Sequence, residues 1–129
     1  MAELNENAIT RLATITGIDA TTVAVTTLFT VPTGKTMIPM HVVIRVTAFT
    51  SGGKGVQAVA SFGGNSATFD DFLNTQTYTV AAANTFQKDE PDTAELVTQA
   101  AADVFSIIIE TASDATVEVW AVDLFGHLV

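Results

Sequence analysis

The run LFTVPTGKT, residues 28–36, ends in the Gly-Lys-Thr with which a phosphate-binding P-loop closes. Such a loop needs a second glycine five positions before the Gly-Lys pair, so that successive backbone N–H groups curl inward around the phosphates. That position is Phe29. The motif also needs a helix opening at the lysine, whereas residues 37–49 read MIPMHVVIRVTAF, a β-branched run with a proline inside it. The residues therefore predict a turn and no nucleotide cofactor. In that turn Pro32 presets φ and Gly34 supplies a positive φ between two strands.

Other reactive side chains are sparse. Nucleophilic catalysis requires a serine or cysteine beside a histidine that a carboxylate orients. The chain has two histidines and no cysteine. His41 falls in a strand pattern on the face of Val43 and Arg45, and His127 lies near the end, so neither forms a nucleophile elbow or a metal-spaced pair. The carboxylates Asp89, Glu90, Asp92 and Glu95 are of a type that suits calcium, but they lack the alternating ligands and central glycine of a binding loop and read as solvated. Asp70-Asp71 is a weaker case of the same kind. Lys54, inside Gly-Gly-Lys-Gly, reads as a solubilising hairpin tip. The expectation is a chain that is not an enzyme, with no catalytic residue, no cofactor and no metal.

The elements that would position any site are strands in one domain. With 129 residues, about two-thirds of the unfolded surface can be buried without disulfides or a metal. Fourteen acidic residues against five basic ones give a net charge of −9, which repels phosphate backbones and anionic bilayers. Neither nucleic acid nor a membrane is expected as a partner. The first dozen residues lack the pattern of a signal peptide, and no run approaches the ~18 apolar residues of a membrane span. Mean hydropathy is nonetheless +0.40, with 15% charged residues. That apolar excess points to a subunit interface.

Apolar alternation recurs along the chain. Val23, Val25, Phe29 and Val31 share a face in residues 21–31; Ile38, Met40, Val42, Ile44, Val46 and Ala48 share one in the next run. SGGKG at residues 51–55 and GGN at 63–65 mark turns around a strand at residues 56–62. Residues 67–72 and 77–83 are shorter apolar pieces, and 84–95 form a polar, acidic loop. Residues 94–103 suit either a helical turn or a short strand with its turn, and the second is favoured. VFSIIIET (104–111) and TVEVWAVDL (116–124) read as a hairpin. The result is an all-β, single-domain antiparallel sandwich or small barrel of about eight strands. Residues 1–16 are assigned to an N-terminal arm or first strand and 17–129 to the domain. If Phe105, Ile107, Ile109, Val117, Val119 and Ala121 fill the core, Ile108, Trp120 and Val122 emerge on the opposite face, where either a covering loop or another subunit must hide them.

LFTVPTGKTMIPMHVVIRV, AAADVFSIIIETAS and the ending VEVWAVDLFGHLV resemble the small jelly-roll virion proteins of tailed bacteriophages. Members of that class share a strand, a Val-Pro-x-Gly-Lys turn and a long apolar strand, and end in a Phe-Gly-aromatic tail. Here His127 replaces the aromatic, and the turn at 100–103 has no glycine. The resemblance implies a jelly roll that forms a homotrimer and coats the outside of a capsid as a cement or decoration protein; together with the apolar second face, it puts Ile108, Trp120 and Val122 at the trimer interface as an expectation. It also implies the major capsid protein as partner, and the virion as location after synthesis in the bacterial cytoplasm. A carbohydrate- or receptor-binding jelly roll of a fibre is the rival. Its sugar would need an exposed ring, and Trp120 and Tyr78 lie in strand patterns.

Overall fold

The computed structural model describes residues 9–91 and 97–129. Eight strands follow one another: β1 (Thr10–Asp19), β2 (Val25–Thr30), β3 (Met37–Thr50), β4 (Ala58–Gly63), β5 (Leu73–Tyr78), β6 (Phe86–Asp89), β7 (Val104–Thr111) and β8 (Val117–Leu128). There is no helix among the described residues. All pairings are antiparallel, in two four-stranded sheets ordered β1-β8-β3-β6 and β2-β7-β4-β5. This double Greek key is the jelly-roll arrangement, and it bears out the fold class read from the sequence. β1 spans residues 10–19, so the expected division after residue 16 falls inside a strand. Residues 1–8 of the expected arm lie outside the described residues.

Several expected hairpins are instead crossings between sheets. β2 and β3 lie in different sheets, as do β3 and β4, and β7 and β8. The Pro32 turn does close as expected: the Lys35 N–H donates to the Pro32 carbonyl at 3.1 Å. Gly34 sits third with φ +76°, as a type II turn requires. A jelly roll is a long hairpin folded over on itself, so successive strands alternate between sheets wherever that fold runs. Gln99 bridges Met37, and Ala100 to Asp103 form a turn, as favoured for this stretch; its first residues, 94–96, lie outside the described residues. In place of a glycine, Ala102 takes φ +72° there.

β7 turns Phe105, Ile107 and Ile109 inward as expected. In β3, Val42, Ile44 and Val46 are also buried, but register shifts after Pro39 and Val46 break the even alternation at both ends. β2 departs further. A register shift between Thr27 and Phe29 buries Leu28, while Val23 and Val25 stay exposed.

The face of β8 is the reverse of the expected one. Trp120, Val122 and Leu124 point into the core, and Val117 and Val119 point out. Trp120 is 0% exposed, with its ring edge-on to Tyr78 at 5.4 Å. Glu118, a charged residue on the same face as Trp120, is buried with it and accepts the Trp120 indole N–H at 2.9 Å. The largest apolar side chain gains most from burial and carries its i−2 neighbour inside with it.

Candidate interaction faces

The residues singled out for chemistry are dispersed. His41 stacks on Phe125 with ring centroids 4.7 Å apart. Its burial, followed by the nearby charge of Lys88, lowers its pKa, while Glu90 acts the other way. His127 lies opposite Ile38 on the same sheet. Asp89 accepts the Tyr78 hydroxyl at 3.0 Å. Burial and then that carboxylate push the tyrosine pKa well up. Asp92 and Glu95, expected beside it in the acidic loop, lie outside the described residues. Asp70 takes hydrogen bonds from Asn65 and Thr68, whereas Asp71 accepts the Gly64 N–H and the Gln99 side chain. At the Gly-Gly-Lys-Gly tip, Asp114 accepts the backbone N–H groups of Lys54 and Val56. These carboxylates therefore organise loops. No group of three or more metal-ligating side chains occurs among the described residues.

What the fold does assemble is two contrasting outer faces. On the β2-β7-β4-β5 sheet, Ile108 stands opposite Val25 and Ser61, and Ser106 opposite Thr27 and Gly63. Val104 opposite Thr30 extends the same face. The one charged residue of β7 itself is Glu110, which accepts the Ser61 hydroxyl. Of the three residues expected at an interface, only Ile108 lies on an outer face; Trp120 and Val122 belong to the subunit's own core.

The outer face of β1-β8-β3-β6 is different. Its rows run Phe86·Arg45·Ala121, then Lys88·Val43·Asp123·Thr14, then His41·Phe125·Arg11. The Arg45 Nε donates to Asp123 at 2.9 Å, and Thr14 donates to the same carboxylate at 2.7 Å. Burial alone raises the Asp123 pKa. The hydrogen bonds from Thr14 and Arg45, with the charges of Arg45 and Arg11, outweigh burial and hold it below the usual value. Phe86 remains 72% exposed beside the Arg45 side chain, itself 42% exposed. Sequence reasoning missed this face, although the alternation of His41, Val43 and Arg45 was a signal for its β3 row.

The fold has a counterpart in a virus. The chain is similar to a chain of the acidic stable capsid structure of Helicobacter pylori bacteriophage KHP30, with a TM-score of 0.50 and 14% identity over 95% of each chain. At that identity the likeness is one of fold. No family model and no curated protein matches the chain. No helix among the described residues is long and apolar enough to cross a membrane. Trp120 and Tyr78, the two rings considered for stacking a sugar, are both buried.

Proposed function

We propose that the chain is a structural virion protein, with no catalytic role, that trimerises and coats the outer surface of a phage capsid through contacts with the major capsid protein. The observation that carries this reading is the eight-stranded jelly roll aligned over 95% of a chain from a phage capsid structure. Such a role needs a rigid sandwich and faces for other subunits, not a reactive cleft. The self-contact is placed on the outer face around Ile108. Copies of a protein with net charge −9 repel one another, so they meet best where carboxylates are fewest. Val25 and Val104 supply the exposed apolar area there, with the half-buried Ile108 opposite Val25.

Sedimentation of the purified chain, together with its binding to heads lacking it, tests both parts. A trimer that coats heads is the expected result, and Ile108→Glu should shift it towards monomer while leaving the melting profile of the subunit intact. A monomeric parent that ignores heads and binds glycans would overturn the reading in favour of a fibre-type binding domain.

A further inference from the structure

We infer that the outer face of the β1-β8-β3-β6 sheet is a docking surface for an acidic protein surface. That the partner is a capsid subunit rests on the function proposed above; that the face takes carboxylates rests on the face alone.

Three of the chain's five Lys and Arg residues, Arg11, Arg45 and Lys88, stand on this one face. The other two, Lys35 and Lys54, sit in separate loops. Asp123 offsets part of the Arg45 charge, and Glu90, just past the end of β6, acts near His41. On the three rows of Arg45, Val43 and His41 the cations Arg11, Arg45 and Lys88 outnumber the one carboxylate, Asp123, while Asp19 lies on the next row opposite Val119, in a molecule where acidic residues outnumber basic ones fourteen to five. An acidic partner is repelled by the rest of the surface and attracted at this site, so the charge pattern selects both partner and orientation.

The apolar content points the same way. Phe86 projects into solvent next to Arg45, and the stacked His41 and Phe125 lie between Lys88 and Arg11. Arginine beside aromatic rings, here on a four-stranded sheet, is the composition of protein interface centres. The Asp123 contacts hold the guanidinium in place, so little side-chain freedom is lost when a carboxylate arrives. A nucleic acid fits less well. Three cations, one of them partly neutralised, neutralise few phosphates, and the overall charge opposes a polyanion as long as DNA.

The test is a titration of the full chain, labelled with nitrogen-15, with poly-L-glutamate, followed by amide shifts. Shifts should cluster on the outer rows around Arg11, Arg45, Phe86 and Lys88. Affinity should fall at least about tenfold between roughly 50 and 300 mM salt, as screening shortens the reach of exposed charges. The double variant Arg11→Glu/Lys88→Glu changes two exposed side chains and should abolish binding while the subunit keeps a cooperative thermal melt. Phe86→Ser, also exposed, should weaken it severalfold without disturbing the fold. The inference fails if no shifts occur, if they map to the Lys35 or Lys54 loops, if the double variant still binds, or if a thymidine oligonucleotide binds the same amides more tightly than polyglutamate. Since no capsid enters this titration, a parent chain that binds polyglutamate through this face but ignores heads counts against the capsid role and not against the face.

Discussion

Glu118 and Trp120 are two apart on β8, so they share a face, and that face is the core. Burying an indole without an acceptor leaves its N–H unsatisfied, at a cost of about 1–3 kcal/mol. Glu118 supplies the acceptor through one carboxylate oxygen, while the other has no hydrogen-bond partner. Glu118→Ala should therefore destabilise the subunit by about 2–4 kcal/mol, from the orphaned indole together with the cavity. Glu118→Gln, which keeps an acceptor oxygen, should cost clearly less in the same urea titration; equal losses would show that the hydrogen bond is immaterial. Asp123 gives a pH-dependent case. Its folded pKa lies below the unfolded value of about 3.9, so its stabilisation is complete above that value and disappears as pH falls through the folded pKa. The difference in urea midpoint between the parent and Asp123→Asn should be largest near pH 6 and should vanish at the acid end.

Two turns make opposite predictions at the scale of elements. Gly34 has φ +76° with open space where a Cβ would be, so Gly34→Val should cost about 1 kcal/mol or somewhat more through backbone strain and no clash. Ala102 holds a similar φ with a side chain present, and Ala102→Gly should relieve strain, raising stability by up to about 1 kcal/mol after the entropy of glycine is set against it. Thermal melts of the two variants should move in opposite directions. The Gly34 turn was legible because Pro and Gly stand at spaced positions between two apolar runs. The strands flanking it were legible as well, through their period of two. Their partners were not, since a turn sequence reports a change of direction and does not say whether the chain returns within its own sheet or passes to the other.

For the whole molecule, the apolar excess divides between core and surface in an unexpected way. Trp120 and Val122, expected on an interface, are absorbed by the subunit, so Trp120→Ala should unfold the domain rather than merely dissociate an oligomer. Among the apolar residues left outside, Val25 and Val104 lie on a nearly neutral face around Ile108 and Phe86 on a basic face beside Arg45, two faces of opposite character. They belong to different sheets, with the core between them. The effect of Ile108→Glu on self-association and that of the Arg11/Lys88 charge reversal on carboxylate binding should therefore be independent of each other, as expected for distant sites without shared partners.

The sequence by itself determined that the chain is a β-sandwich, because alternation over many short runs places apolar residues on one side of a strand and on no side of a helix. It determined that the Gly-Lys-Thr triplet is a turn, because Phe29 stands where the P-loop glycine must be. It also placed Phe105, Ile107 and Ile109 inside, since that triplet faces Ser106 and Glu110 across its strand. Only the tertiary structure decided the face of β8, where Val119 and Ala121 on one side compete with Trp120 and Val122 on the other. When both faces of a strand are apolar, a period of two cannot tell inside from outside; the volume that the opposing sheet leaves open decides. The basic face was beyond reach for a related reason. Arg45 and Asp123 are 78 positions apart, and Arg11 and Lys88 come from opposite edges of the sheet. Long-range pairing, which no local pattern encodes, brings them onto one surface.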